Sequence, residues 1–261
     1  METLSYQPGT YVYGVAPADP FRDAGHPLVV PGIGGMGAPV RTIVLGDLAA
    51  VVSDVAELRI DVSRENLQDH QRVLEEVLSR ADVLPFSFGA VATSDDEVRE
   101  VLLRGGYEEL HEQLDYIRGC VELELKVFWN QERLFAEIVE ENEDVRALRD
   151  RIALLPDDAD SLDKITLGEL TEAEIQLKSA WEADGLLDIL ELHSVELLVS
   201  PNLSDTMLLN AAFLVERARE ERFDAVVGAL ADEHSGRLIF NYVGPLPPYS
   251  FINLAFAADA S

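Results

Sequence analysis

Strand-like runs of period two alternate with capped helices of period 3.6, and this predicts an α+β fold. Residues 121–129 place Val121, Leu123, Leu125, Val127 and Trp129 on one side and Glu122, Glu124, Lys126 and Phe128 on the other, as in a half-buried antiparallel strand. Residues 238–243 are apolar, branched and aromatic, which fits a strand with a buried face. Between these two, the second half of the chain reads strand, helices, strand, strand, helix, strand. That βαββαβ order is the ferredoxin-like one.

From the start, residues 11–15 form a short strand closed by Pro17 and Pro20. Gly32, Gly34 and Gly37 match GxGxxG, but dinucleotide binding needs a helix beginning at the last glycines. Pro39 and a strand over residues 42–45 follow instead, so the stretch reads as a flexible connector. Residues 42–45 and 49–55, joined by Gly46-Asp47, predict a hairpin. Ser63 caps a helix that runs through Arg80 on the stripe Leu67, Leu74, Leu78 and Ala81, and residues 83–89 form a further strand. Ser94 with Glu97 is a capping box opening a helix that ends at Gly105-Gly106. A second helix spans residues 107–118 and stops at Gly119.

After the alternating strand, helices are expected over residues 131–140 and 142–154, both charged and exposed, until Pro156 and its aspartates break the run. Thr166 with Glu169 and Thr171 with Glu174 have capping-box form, and a helix continues to about Leu187. Strands over 191–200 and 207–215, a helix over 223–233 with Val226, Val227 and Leu230 inward, and the strand at 238–243 complete the series. Gly244 and Pro245 are expected to stop that strand, since proline gives no N–H to a neighbour. Pro247-Pro248 holds the chain extended, and Tyr249, Phe251, Ile252, Leu254 and Phe256 should pack back on the body. The expected domains are residues 1–92, a helical bridge at 93–118, and a ferredoxin-like domain at 119–261 with inserted helices and a docked tail.

The bulk properties narrow the function. The net charge is −29, from 49 acidic and 20 basic residues, with lysine only at positions 126, 164 and 178. Such a surface repels phosphate backbones, so nucleic acid is a poor partner. The excess suits a salt-rich cytoplasm, and equally the acidic helices of a GC-rich genome. No run approaches the roughly 20 apolar residues of a membrane span. The start lacks a signal-peptide pattern, and Cys120 alone excludes an internal disulfide framework, so a cytoplasmic location is expected.

Chemistry is sparse. His26, His70, His111, His193 and His234 lie far apart, and His70 and His111 sit among polar helix positions, as solvated residues do. Asp157, Asp158, Asp160 and Asp163 suggest a calcium loop, but counting from Asp158 the required sixth-position glycine is Asp163. A solvated acidic linker is the better reading. Cys120 has no base or cation beside it in sequence and reads as a buried thiol. Neither a G-x-S-x-G elbow nor a P-loop is present, and no cofactor or metal is expected.

Four segments in this order and spacing resemble the gas-vesicle accessory proteins of the F/L family. They are Tyr11-Val12-Tyr13-Gly14-Val15, Val83-Leu84-Pro85-Phe86-Ser87-Phe88-Gly89, the 119–128 strand with Glu122 and Lys126, and Asn241-Tyr242-Val243-Gly244-Pro245-Leu246-Pro247-Pro248-Tyr249-Ser250-Phe251. Leu246 departs from the tryptophan that members often carry near this turn. The resemblance implies a two-domain α+β protein, each domain related to a ferredoxin-like sandwich, without enzymatic activity. It also implies a role in gas-vesicle formation, with the hydrophobic major shell protein and other accessory proteins as partners. On that basis a contact surface is expected at Pro85, Phe86 and Phe88, or at Tyr242, Pro245, Pro247, Pro248, Tyr249 and Phe251, whose aromatics would act as anchors. The same residues equally read as core strands and a docked tail. Two further classes remain open at this point. A ligand-sensing ferredoxin-like module would show a polar-lined pocket, and an enzyme would show clustered, shifted titratable groups in a cleft.

Overall fold

The computed structural model describes residues 8–22, 28–33, 39–154, 162–252 and 254. The glycine run from Gly34, His26, Phe256 and the acidic positions 157, 158 and 160 lie outside them. The chain divides into two compact units, Met1–Glu122 with Gly244–Ser261, and Leu123–Val243. The tail therefore groups with the first half of the chain.

In the first unit, β1 (Gly9–Pro17), β2 (Arg41–Leu45), β3 (Leu48–Val55) and β4 (Leu84–Pro85) form a sheet of order β2-β3-β1-β4, and β5 (Val91–Ala92) also pairs with β1. Gly46 has φ +62°, the left-handed conformation that closes the β2–β3 hairpin without a side-chain penalty. On one face lies α1 (Arg64–Leu78), capped as expected by Ser63, whose Oγ accepts from the Asn66 N–H. On the other face Val12, Val15, Ala50 and Val52 pack with Leu102, Leu103, Leu110 and Leu114. Those leucines come from a π-helical stretch (Val98–Arg104), which continues the short α2 (Asp95–Glu97), and from α3 (Tyr107–Tyr116). At the end of the π turn a Cβ on Gly105 would stand 2.4 Å from the Val101 carbonyl, so only glycine fits.

The strand expected over residues 83–89 is much shorter. A register shift between Val12 and Gly14 bulges Tyr13 out of the β1–β3 ladder. Beyond β4, the Gly89 N–H donates to the Tyr11 hydroxyl rather than to a strand carbonyl. The capping box at Ser94 is also altered: Ser94 Oγ accepts from Glu97 N–H, but the Glu97 carboxylate takes the N–H and hydroxyl of Thr93.

The second unit has a sheet of order β7-β8-β6-β9, built from β6 (Cys120–Trp129), β7 (Glu196–Val199), β8 (Met207–Glu216) and β9 (Leu238–Leu246). Its third strand lies between the first and second, which is how a βαββαβ chain arranges a split βαβ. The first sheet has the same order, with a connector where the second has helices. Those helices are α4 (Gln131–Glu141), α5 (Glu143–Ile152) and α6 (Leu162–Glu191), and α7 (Glu220–Glu233) follows β8. α4 and α5 are not simply exposed, because Leu134, Ile138, Val145 and Leu148 are buried. α6 is one 30-residue helix that overrides both expected caps, and the Thr166 hydroxyl bonds back to the Leu162 carbonyl instead. In α7, Phe223 is buried together with Val227 and Leu230, while Val226 is only half-buried.

Two expectations near the end are corrected. β9 runs through Gly244 and Pro245 to Leu246, with a cis peptide between them, because an edge strand tolerates a missing N–H. Glu122, expected on a solvated strand face, is 1% exposed and accepts from both the N–H (2.8 Å) and the hydroxyl (2.6 Å) of Ser250. The tail is fixed there, with Phe251 buried and Ile252 and Leu254 against the core. Replacing Glu122 by alanine is expected to cost about 2 kcal/mol, because it removes the charged acceptor of both Ser250 hydrogen bonds and empties a buried site. The measurements are urea unfolding and the rate of protease cleavage at Tyr249 and Phe251, which should rise.

Candidate functional site

Burial sorts the nine expected contact residues. Pro85, Phe86, Pro247, Pro248 and Phe251 are buried packing residues of the strand end and tail, and buried side chains cannot present anchors to a partner. Phe88 and Tyr242 are half-buried. Phe88 rings with Tyr11 and His70, and Tyr242 stacks on Phe223 and donates to Asp224 at 2.6 Å. Only Pro245 and Tyr249 are exposed.

His70 corrects the reading of a solvated histidine: it is 4% exposed. The Tyr11 hydroxyl accepts from the Gly89 N–H and shares a 2.9 Å hydrogen bond with His70 Nδ1, and His70 Nε2 lies 3.2 Å from the Tyr249 hydroxyl. Burial lowers the imidazole pKa to about 4 and raises those of Tyr11, Tyr13 and Tyr249.

A large concavity lies elsewhere, in the second unit. A cavity of about 830 Å³ opens among α4, α5 and α6, beside Trp129 at the end of β6. Leu134 and Ile138 line it from α4, Val145 and Ile152 from α5, and Leu167 and Ile175 from α6. Helices that meet only in part leave such a trough. Its volume falls within the range of small-molecule and peptide sites. Arg149, Lys164, Glu172 and Asp205 supply charge around the apolar lining. Sequence reasoning missed this groove. The available signal was Phe135, which sits on a charged helix yet is exposed and lines the groove.

The groove is held from behind by an ion network. Arg237 makes a two-pronged pair with Glu137 (2.7 and 3.1 Å) and a third contact with Glu182 at 2.5 Å. Its guanidinium lies 5.8 Å from the centre of the Trp129 ring. The Trp129 indole N–H donates to Ser179 Oγ, and Lys178 reaches Glu137 and Glu141. The hydrogen bond from Arg237 holds the Glu137 pKa below the usual carboxylate range. These residues tie α4 and α6 to β6 and to the start of β9.

Among the described residues no group of three or more His, Cys, Asp and Glu is placed to hold a metal ion. Asp163, from the suspected calcium loop, is engaged twice by Arg151 at 2.6 and 2.7 Å. His111 meets Asp47 at 2.9 Å, and Cys120 is buried. No helix among the described residues is long and apolar enough to cross a membrane.

Comparison with known proteins agrees with this architecture. Gas vesicle protein F of Streptomyces sp. (strain CB03234) is 33% identical over 246 residues, covering 93% of this chain and 99% of that protein. The protein F of Haloferax mediterranei is 27% identical, with 95% of each chain covered. The crystal structure of GvpF from Microcystis aeruginosa superposes with TM-score 0.75 at 28% identity, over 94% of this chain and 99% of that one. GvpF from Anabaena sp. PCC7120 superposes at 0.79 and 24% identity, over 95% and 99%, a likeness of fold. The profile of the gas vesicle synthesis protein GvpL/GvpF family matches residues 9–253, and the chain belongs to that family.

Proposed function

We propose that this gas-vesicle accessory protein acts during assembly by holding an apolar helical segment of a gas-vesicle protein, in the first instance the major shell protein, in the groove among α4, α5 and α6. The groove itself carries the proposal. It is a concavity of about 830 Å³, and three helices line it with aliphatic side chains of the kind that receive an amphipathic helix. A shell subunit awaiting assembly exposes apolar surface, and a carrier with net charge −29 can cover that surface while resisting its own association. Other accessory proteins of the system are candidates for the same groove. The exposed Pro245 and Tyr249 remain a secondary contact.

Phe135 is 48% exposed and lines the groove, so changing it need not disturb the core. Phe135→Glu is expected to lower retention of co-expressed shell protein at least tenfold, with an unchanged melting curve. Retention equal to that of the unaltered protein would remove the groove from the mechanism. Tyr249→Ala, measured alongside, reports on the secondary surface.

A further inference from the structure

We infer that the outer edge of β7 is a homodimer interface, where two copies pair antiparallel about a two-fold axis at Leu198. β7 ends the sheet, with β8 as its only strand neighbour among the described residues. The β7–β8 register pairs Leu198 with Ala212, and the next N–H inward, that of Ser200, donates to the Asn210 carbonyl. By alternation, the N–H and C=O of Leu197 and Val199 point away from β8. An edge of this kind is a template for another strand.

Two features select a second copy as the occupant. The outward groups are two residues apart, so an axis at Leu198 sets Leu197 of one copy against Val199 of the other, twice over. Such a pairing exchanges four backbone hydrogen bonds, and this self-complementarity is what an isologous contact requires. The same axis sets Leu198 against Leu198 in a close, non-hydrogen-bonded pair. Glu196 meets Ser200 rather than another carboxylate, so no like charges oppose each other on the strand. Apolar exposure is concentrated here as well, at Leu198 (37%), Val199 (55%) and the flanking Val195 and Leu192. The edge carries no lysine, and its nearest proline, Pro201, lies beyond it. At the opposite edge, β9 has Pro245 within the strand.

A four-residue strand with its flanks buries little area, so the dimer falls in the weak, transient class. Two copies of net charge −29 repel each other, and salt screens that repulsion. Association therefore rises with ionic strength.

Sedimentation of the full chain across a concentration series is expected to show a monomer–dimer equilibrium that strengthens from low to high sodium chloride. Val199→Pro deletes one outward N–H and leaves the β8 ladder intact, so the variant is expected to remain monomeric with the same melting curve. Leu198→Cys is expected to form a disulfide-linked dimer on mild oxidation, because the axis brings the two thiols together. The unaltered chain, whose one cysteine is buried, should not cross-link. A chain that stays monomeric at high salt and high concentration overturns the inference. So does a Val199→Pro variant that dimerises like the parent, or, should that variant unfold, a Leu198→Cys variant that fails to cross-link. Capture of another protein's extended segment at β7 by a chain that itself stays monomeric overturns it too.

Discussion

Arg237→Ala is expected to destabilise the protein by about 2–3 kcal/mol, below the range for a fully buried ion pair because the arginine is 30% exposed and only Glu182 is nearly buried. Arg237 is the only cation that reaches both Glu137 and Glu182 among the contacts described, and the Glu182 side chain is 7% exposed. With the guanidinium gone, one carboxylate is left buried without that partner and a second keeps only Lys178, and the face of Trp129 loses its cation. Arg237→Lys should recover only part of the loss, since an ammonium cannot make the two-pronged contact. Replacing all three residues by apolar groups of matching volume should recover more, because the penalty comes from the stranded charges. Urea unfolding at neutral pH measures this, and a loss below about 1 kcal/mol would show that the carboxylates escape to water. The network also bears on the groove. It clamps α4 and α6, so Arg237→Ala should weaken partner retention along with stability, whereas Phe135→Glu should affect retention alone.

The contrast between these residues shows what the sequence made legible. The strand over residues 120–129 was readable because alternation is a local signal, and its five inward residues are all buried. The βαββαβ order was readable because the elements are long and periodic. What failed was whatever depends on a distant partner. Glu122 reads as one more surface acid until Ser250, 128 residues on, donates two hydrogen bonds to it. His70 sits between polar neighbours on α1, and only the bulge at Tyr13 with the return of the tail shows that it faces inward. The capping-box pattern at Thr166 and Thr171 is local too, yet tertiary packing of α6 prevails over a preference worth about 1 kcal/mol. The groove was illegible for a related reason. α4 and α5 each look amphipathic and satisfied by themselves, and the space left between them and α6 is a property of their packing. The nine aromatic and proline positions stood out because they are rare residues at turns, and five of them are buried.

The last expectation concerns acid. The His70 pKa falls from an ordinary 6.5 to about 4, mainly because burial disfavours the imidazolium. The groups facing it are the hydroxyls of Tyr11 and Tyr249, the ring of Phe88 and the Phe86 backbone, whose hydrogen bond opposes the shift, with Tyr13 stacked on it and no carboxylate hydrogen-bonded to it among the described residues. Asp69, the neighbour on α1, is engaged by Arg72 at 2.6 Å. Between those two pH values the unfolded chain binds a proton at this site and the folded chain does not. Stability from this group is therefore complete above about pH 6.5, is lost as pH falls toward 4, and changes no further below that. A gap of about 2.5 pH units at about 1.36 kcal/mol each makes the loss roughly 3 kcal/mol. Carboxylates such as Glu137, with lowered pKa values, add their own losses at lower pH. The comparison that isolates His70 is the protein against His70→Gln, which keeps a neutral hydrogen-bonding side chain. The variant should be less stable at pH 7.5, and its stability should fall by about 3 kcal/mol less between pH 7 and 4. Parallel curves for the two proteins would mean that water reaches the imidazolium in the folded state, and that Tyr11, Tyr249 and Phe88 do not seal the site.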